Sequence, residues 1–402
     1  MSQPAFFCIN PFICTRQNSY NRISPCPFGP VEINVTEDTT QSKRWHHPIL
    51  TAFRTKFLAG EKPSECKRCW DEENAGIPSL RQRSNNANPN AYVDSVLTGA
   101  WKLGPQEVVL KTTNVCNLAC RSCAGWDSSY FWPEGEFYTN NYNTKKINPK
   151  GTLVAGNDYT RSRDKVYHRS DLWTTADLSQ IKKFNFFGGE PLLDKQHRLI
   201  LERLISNGRA KDVTLFYSTN TQQIASHLEH LWKHFKRIEI FFSIDGIEDQ
   251  FEYLRWPGKW SKTLDTISWF KNLEIKYPNV DWYFQGSQCV SILNISDYWK
   301  TSNWLKENLG AVYFNIVDHP PHLRMTQIPD ENKKLIYDKI PDDGIKNYFM
   351  SEQSNPDLLK KMIIWTRRMD LYRNQDFTKT FPETYNLIKD AWEQYKDDLV
   401  DP

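Results

Sequence analysis

The stretch "NVCNLACRSCAGW", Asn114 to Trp126, places three cysteines within eight residues. Cys116, Cys120 and Cys123 follow the spacing C-x3-C-x2-C. A structural zinc site takes four ligands, and usually pairs two close thiols with two further ligands downstream. Three close thiolates without a fourth can instead hold three corners of an iron–sulfur cubane, because soft thiolates are the ligands that such clusters select. That arrangement leaves one iron open to bind and reduce another molecule.

Composition and charge indicate a soluble, cytoplasmic protein of two or three domains. The chain has 402 residues and a formal net charge of +3, which is too small to indicate nucleic-acid binding by electrostatics alone. No run approaches 18 consecutive apolar residues, and the N-terminus lacks a basic-then-apolar signal, so we expect no membrane association. Nine cysteines in a chain of this length favour metal binding over a disulfide framework.

Alternating strand and helix patterns between Glu107 and Pro320 predict a parallel sheet. The predicted strands are "EVVLKTT", "KKFNFF", "VTLFYSTN", "RIEIFFSID", "VDWYFQGSQCVS" and "AVYFNIV". The predicted helices between them are "KQHRLILERLISNG", "TQQIASHLEHLWKHF", "SKTLDTISWFKNL" and "SDYWKTSNWLKENLG", the last with Ser296 as its cap. Such alternation is typical of βαβ units with right-handed crossovers. The fold class is therefore α/β, with a partial or full (β/α) barrel.

Three regions follow from these patterns. Residues 1–92 are rich in proline and cysteine and end in the polar run "RQRSNNANPNAY", which we interpret as a linker. Residues 93–320 contain the barrel, and residues 321–402 form a mostly helical C-terminal segment.

Two further motifs follow predicted strands. "FFGGEPLL" places Gly188, Gly189 and Glu190 after the second strand, and "FFSIDG" places Ser243 and Asp245 after a later one. Ligands of parallel sheets bind at the carboxyl ends of the strands, where the three cysteines also lie. Adjacent glycines let the backbone approach a ligand closely, and a carboxylate beside them can accept from an amine. A hydroxyl and a carboxylate could likewise hold ribose hydroxyls.

Together these motifs resemble the radical S-adenosylmethionine (radical SAM) superfamily over roughly Pro105 to Pro320. The resemblance implies that the three cysteines bind a [4Fe–4S] cluster, whose fourth iron is chelated by the amino and carboxylate groups of SAM. It further implies a set of SAM-binding residues, with the Gly-Gly-Glu motif on the amino group, polar strand ends on the ribose and an arginine fork on the carboxylate: Gly188, Gly189, Glu190, Ser218, Asn220, Ser243, Asp245 and Arg255. Ser122 departs from the family, which often has an aromatic residue before the third cysteine to pack on adenine.

The N-terminal cysteines resemble the tail of the SPASM or twitch domains that accompany many radical SAM enzymes. Those domains usually follow the barrel, whereas this segment precedes it. The resemblance implies an auxiliary [4Fe–4S] cluster, with Cys14 as a spare that could replace Cys8 among the four ligands Cys8, Cys26, Cys66 and Cys69. A zinc site on two loops is the alternative, because C-x2-C with two remote thiols fits zinc equally.

The resemblance implies an enzyme that reductively cleaves SAM to a 5′-deoxyadenosyl radical and abstracts hydrogen from a substrate. A peptide or protein side chain is the leading substrate, a small molecule or nucleoside the alternative, and a reductant such as flavodoxin or ferredoxin the expected partner. A different class is a non-catalytic iron–sulfur electron-transfer protein, which would not consume SAM. No basic stretch interleaved with aromatics favours nucleic acid.

Each single motif also has a simpler interpretation. "GGE" and "SIDG" are common turns, and the three cysteines could form a zinc site with a distant histidine. Arg255 could be a surface arginine, and Cys289 a small buried residue. On a C-terminal helix, the charged residues Arg367, Arg368, Asp370 and Arg373 are interpreted as a solvated face with local charge pairs, rather than as part of a substrate mouth.

Overall fold

A single mixed sheet organises the chain. The computed structural model describes residues 3–17, 22–34, 40–111, 113–125, 127–142, 173, 175–194 and 197–399. Nine strands occur in these ranges: β1 (Cys14–Gln17), β2 (Arg22–Ser24), β3 (Ile33–Asn34), β4 (Glu107–Lys111), β5 (Lys183–Phe187), β6 (Thr214–Thr219), β7 (Arg237–Ser243), β8 (Asp281–Val290) and β9 (Val312–Ile316). Their order is β3-β2-β1-β4-β5-β6-β7-β8-β9.

Strands β4 to β9 follow one another in chain order, and each pairs with the next in parallel. β1 adds to the β4 edge in parallel, with Cys14 opposite Glu107, while β2 and β3 extend the sheet as antiparallel strands. Within the described residues β3 and β9 are the two edges, so the barrel is partial. Strands β4 to β9 are the six strands that the sequence patterns predict, and the α/β fold class is confirmed.

Helices connect the strands and form the C-terminal region. In chain order the described α-helices are α1 (Asn10–Ile13), α2 (Gln41–Trp45), α3 (Pro48–Leu58), α4 (Lys67–Asn74), α5 (Leu80–Ala87), α6 (Trp132–Tyr142), α7 (Arg198–Ser206), α8 (Ser226–Trp232), α9 (Glu248–Leu254), α10 (Trp260–Lys276), α11 (Tyr298–Leu309), α12 (Asp330–Tyr337), α13 (Asp343–Phe349), α14 (Pro356–Arg373), α15 (Phe377–Thr380) and α16 (Pro382–Tyr395). A π-helix spans Tyr92–Leu97. The predicted helical C-terminal segment is therefore confirmed.

The two faces of the parallel strands differ in chemistry. Along β7, Ile238, Ile240 and Phe242 are fully buried in the core beneath the connecting helices, whereas the intervening residues are half-buried. Those intervening residues include Phe241 and Ser243, which point to the opposite, inner face. Helices thus cover one face of the sheet. The inner face carries polar and aromatic side chains that are accessible to a ligand.

The predicted linker "RQRSNNANPNAY" is wrong. Residues Leu80–Ala87 form α5, and Ser79 and Gln82 make the reciprocal capping box at its start. The capping signature Ser-x-x-Gln is visible in the sequence and indicates the start of this helix, whereas the asparagines that follow it are more typical of turns. The N-terminal region also has its own apolar core, which contains Phe7, Phe12, Phe53 and Phe57.

Candidate functional site

The loop that carries the three central cysteines begins directly after β4 and is fixed by backbone hydrogen bonds on two sides. On one side, Gly189 N donates to Thr113 O at 2.7 Å, and Glu190 N donates to Val115 O at 2.9 Å. The Gly-Gly-Glu motif after β5 therefore lies alongside the start of the loop, as the order of the motifs predicts.

On the other side the loop is bonded to the end of α9. Ala119 N donates to Trp256 O at 2.7 Å, and Arg121 N donates to Leu254 O at 2.8 Å. Arg255 lies between these two acceptors. The predicted arginine is thus brought to the cysteine loop from a position 135 residues after Cys120.

The three thiols are neighbours that share a protected environment. Burial raises the pKa of the Cys116 thiol to about 12, and raises that of Cys120 well above its usual value. Cys116 and Cys123 each add to the Cys120 shift, while the Arg255 guanidinium opposes it. Asn220 Nδ2 donates to Cys116 Sγ at 3.5 Å, and Arg255 Nη1 donates to Cys120 Sγ at 3.8 Å. These donors favour thiolates, which are the form that binds iron.

The glycines of the Gly-Gly-Glu motif are required by geometry. Gly188 has a φ of 151°, which side-chain-bearing residues rarely adopt. A Cβ on Gly189 would stand 2.3 Å from Val115 O, too close for any side chain. The motif therefore lets β5 lie directly against the cysteine loop.

Glu190 is fully buried, and its carboxylate faces the next strand end. Oε1 accepts from Leu192 N at 3.0 Å, and Oε2 accepts from Asn220 N at 2.6 Å. Burial raises the pKa of Glu190 to about 7, against the opposing effect of these hydrogen bonds. A cation beside Glu190 would therefore find a carboxyl group poised to ionise at neutral pH.

The predicted ribose-binding residues also meet. Ser218 Oγ and Ser243 Oγ lie 3.3 Å apart on adjacent strands. The side chain of Asn220 bonds to Asn117 Oδ1 at 2.7 Å and accepts from Gln222 N at 3.0 Å. All three residues lie at carboxyl ends of β6 or β7, which is the edge where ligands of parallel sheets bind.

Arg255 is buried and paired, so the surface interpretation is wrong. Its Nη2 lies 2.9 Å from Asp245 Oδ2, and the residue is 7% exposed. Asp245 also accepts from Cys289 N at 2.8 Å. Within the described residues, however, Arg255 Nε has no hydrogen-bond partner although it is buried. A buried guanidinium N–H without an acceptor is rare, because it costs free energy. An anionic group of a ligand would provide the missing acceptor.

The structure places Cys289, which the sequence indicates only as a small buried residue, next to Asp245 and Arg255. Cys289 lies on β8, and its thiol is hydrogen-bonded to Ser122, the residue that departs from the family pattern. Burial raises the pKa of the Cys289 thiol. Only the coincidence of an atypical small residue at Ser122 with a distant cysteine could have suggested this contact from sequence.

The C-terminal helix α14 braces the cysteine loop, and the solvated-face interpretation is wrong for Arg368, Asp370 and Arg373, all of which are buried. Arg121, between two of the cysteines, pairs with Asp370 at 2.5 Å, with side chains 0% and 1% exposed. The Arg121 guanidinium also lies 3.7 Å from the centre of the Tyr253 ring. Arg373 pairs at 2.8 Å with the equally buried Glu134 of α6.

The four predicted N-terminal ligands converge on one cavity. It is lined by Cys8, Asn10, Pro11, Cys26, Pro30, Phe53, Phe57, Cys66, Cys69 and Arg81. Cys14 is fully buried on β1 and is not among these lining residues. The fold thus brings the four predicted thiols together from three separate segments, around Cys8, Cys26 and the Cys66–Cys69 pair. The sequence could not place Asn10 or Arg81 beside them.

Backbone groups in this cavity point at the thiols. Burial raises the pKa of Cys8 strongly and that of Cys26 to about 12, and hydrogen bonds from the backbone of Asn10 and Phe28 oppose these shifts. Burial likewise raises the pKa of Cys69, opposed by the backbone of Arg81. At Cys8 and Cys26 the donor is the backbone of the second residue after the cysteine, and Leu118 has the same relation to Cys116. Such donors compensate thiolate charge, so this cavity suits thiolate ligands.

Two kinds of feature are absent from the described residues. No three His, Cys, Asp or Glu side chains there are grouped as ligands of a single metal ion. Among the same residues, every helix is too short or too polar to cross a bilayer.

Comparisons with known proteins found similar solved structures and one matching family model. Solved structures similar to the chain include native anSMEcpe with bound AdoMet and Cp18Cys peptide, at 16% identity and a TM-score of 0.35, over 67% of this chain and 61% of that one. Another is Streptococcus suis SuiB bound to S-adenosylmethionine, at 12% identity and a TM-score of 0.31, over 77% of this chain and 61% of that one.

The chain thus spans about three fifths of the length of these solved structures. No curated protein matches it. Residues 110–283, from the end of β4 into β8, match the family model of the Radical SAM superfamily. The matched region contains Cys116, Cys120 and Cys123, the Gly-Gly-Glu motif and Arg255.

Proposed function

We propose that the chain is a radical SAM enzyme whose SAM-binding [4Fe–4S] cluster is held by Cys116, Cys120 and Cys123. One observation carries the proposal: Arg255, with an open buried Nε, lies against Cys120 at the edge where the Gly-Gly-Glu motif also lies. When bound, the cluster and SAM would supply reductive cleavage to a 5′-deoxyadenosyl radical that abstracts hydrogen from a substrate.

The chain's own residues have distinct roles in this proposal. Glu190 would accept from the SAM amino group, and Arg255 would donate Nε to the SAM carboxylate, while Asp245 holds the guanidinium in place. Ser218 and Ser243 would bind the ribose. Ser122 stands at the sequence position where relatives often have an aromatic residue against adenine, and it interacts with the Cys289 thiol.

For the N-terminal cavity we propose an auxiliary [4Fe–4S] cluster bound by Cys8, Cys26, Cys66 and Cys69. Four thiols line one cavity, and three of them receive backbone hydrogen bonds. A single zinc ion needs its four ligands at about 2.3 Å. A cluster needs a wider set, since each thiolate binds a different iron. The four thiols of the cavity would close all four corners of such a cluster, each on a different iron.

The substrate we propose is a peptide or protein side chain, the class that the SPASM and twitch resemblance implies. The formation of 5′-deoxyadenosine should then increase when the true peptide substrate is added. Peptides encoded beside the gene are the first set to try, with mass spectrometry as the readout. Modification of a small molecule or nucleoside instead would contradict the peptide proposal.

The test of SAM cleavage uses anaerobically reconstituted protein with dithionite and SAM. The parent protein should release 5′-deoxyadenosine, and the variant with Cys116, Cys120 and Cys123 all changed to Ala should release none. If the variant cleaves SAM at the parent rate, these cysteines are not the ligands. If neither protein cleaves SAM while both hold iron, the non-catalytic electron-transfer alternative stands.

A further inference from the structure

The N-terminal cavity contains one polar group without a partner. Asn10 lines the cavity and is 3% exposed, and its side-chain Nδ2 is buried with no hydrogen-bond partner among the described residues. A buried amide donor of this kind has lost its hydrogen bonds to water and has no protein acceptor in their place, which costs free energy. Natural structures rarely retain such a group unless a ligand or water completes it.

The other polar side chain of the cavity lining is already satisfied. Arg81 Nε and Nη2 donate to the two oxygens of Glu73 at 2.9 and 2.7 Å, and Nη1 donates to Phe7 O at 2.9 Å. The rest of the lining consists of prolines, phenylalanines and the four thiols. The Asn10 amide is therefore the polar lining group that remains available to an occupant.

The occupant must present hydrogen-bond acceptors to Asn10 while four thiolates surround it. Inorganic sulfide and cysteine sulfur both meet this requirement. The backbone of Asn10 already bonds to Cys8, so its side chain starts beside a proposed ligand. Resting on the auxiliary cluster proposed above, we infer that Asn10 Nδ2 donates a hydrogen bond to a sulfur of that cluster and thereby sets its reduction potential.

The direction of the effect follows from charge. One-electron reduction adds one negative charge to the cluster, with dithionite as the electron source in the experiment. A hydrogen-bond donor stabilises the more negative, reduced state more than the oxidised one, and hydrogen bonds to the sulfurs are among the groups that set cluster potentials. Removing the Asn10 donor should therefore lower the midpoint potential and leave the cluster harder to reduce.

The experiment uses the full chain with Cys116, Cys120 and Cys123 changed to Ala, so that only the N-terminal cluster can form. After anaerobic reconstitution with iron and sulfide, an EPR-monitored redox titration compares this parent with Asn10→Leu, which has a similar size and no donor. Asn88→Leu, at an exposed position of the same region, is the control. We expect a lower midpoint in Asn10→Leu with full iron content, a still lower one in Asn10→Asp, and no change in Asn88→Leu.

The remaining outcomes distinguish the proposed role of Asn10 from the existence of the auxiliary cluster. An unchanged midpoint in Asn10→Leu with full iron overturns the role of Asn10 and leaves the cluster standing. A parent that holds no iron overturns both. If Asn10→Leu loses iron while the unfolding temperature of its iron-free form is unchanged, the donor is needed to retain the cluster, which supports the inference. Iron loss together with a lower unfolding temperature would show that the amide only supports the fold.

Discussion

At the scale of single residues, Arg255 has the most specific assignment. It is buried, pairs with Asp245 and keeps Nε open. A charge-assisted hydrogen bond contributes about 1.5–3 kcal/mol, so Arg255→Met should weaken SAM binding roughly ten- to a hundredfold in a calorimetric titration. Arg237→Met is the matched control, because that arginine pairs with Glu239 at the amino end of β7, away from the site. Equal SAM affinity in both variants would remove Arg255 from the SAM site.

Glu190 provides a second residue-scale prediction, on pH. Burial raises its pKa to about 7, and the ionised carboxylate is the better acceptor for the N–H groups of the SAM amino group. SAM affinity should therefore rise with pH through 7, by about tenfold from pH 6 to pH 8, because the ionised fraction rises by that factor. Glu190→Gln should show weak, pH-independent binding. The same pH dependence in Glu190→Gln would assign the titration to another group.

The site residues differ in how well the sequence could place them. The cysteines, glycines and Glu190 follow strands that have clear apolar patterns, so their common edge was predictable. The ion pair of Arg255 with Asp245 and the contact of Ser122 with Cys289 join residues far apart in the chain. Such contacts depend on how helices and strands pack, and a local sequence pattern holds no information about them.

At the scale of elements, helix α14 is part of the site's support. Removing one partner of a fully buried ion pair leaves an uncompensated charge and costs about 3–5 kcal/mol. Arg121→Met should lower the free energy of unfolding by this amount in anaerobic urea titration, because Asp370 would remain buried without its partner. Glu393→Gln, which breaks an exposed ion pair between α16 and Lys396, should leave the free energy of unfolding almost unchanged. Equal effects in the two variants would contradict the bracing role.

Element boundaries show where local patterns fail. The predicted helix "TQQIASHLEHLWKHF" begins only at Ser226, and Ile224 is exposed. The reason is that Asn220 accepts from Gln222 N, which turns the chain at the end of β6. Similarly, α11 begins after Asp297 rather than Ser296, because Ser296 Oγ is bonded to Thr384 Oγ1 instead. In both cases a hydrogen bond to another part of the fold occupies a backbone or side-chain group that the local pattern assigns to the helix, so the helix begins later than predicted.

At the scale of the whole molecule, the N-terminal segment contacts the first and the last of the six strands β4 to β9. β1 pairs with β4, while Arg83 of α5 reaches Tyr313 of β9 at 2.7 Å. The cavity with the four cysteines is therefore built into the body that carries the central cysteines. The sequence predicted both cysteine sets and the strands of the parallel sheet. It could not predict the contact of Arg83 with Tyr313, because that contact joins residues far apart in the chain.

Iron content tests the two-cluster account for the whole chain. Reconstituted parent protein should contain about eight irons per chain, and the variant lacking Cys116, Cys120 and Cys123 about four, from cluster stoichiometry. Changing Cys8, Cys26, Cys66 and Cys69 to Ala should also leave about four. One zinc and no iron in the first variant would replace the auxiliary cluster with a structural zinc site.

The central claim is that SAM binds to an open iron held by Cys116, Cys120 and Cys123. EPR spectroscopy of the dithionite-reduced protein, with and without SAM, tests this most directly, because a ligand on the iron changes the spectrum. The variant lacking Cys8, Cys26, Cys66 and Cys69 isolates the relevant signal. The account predicts a SAM-dependent change in this variant and none in the variant lacking Cys116, Cys120 and Cys123. A reduced cluster whose spectrum is identical with and without SAM would contradict the account.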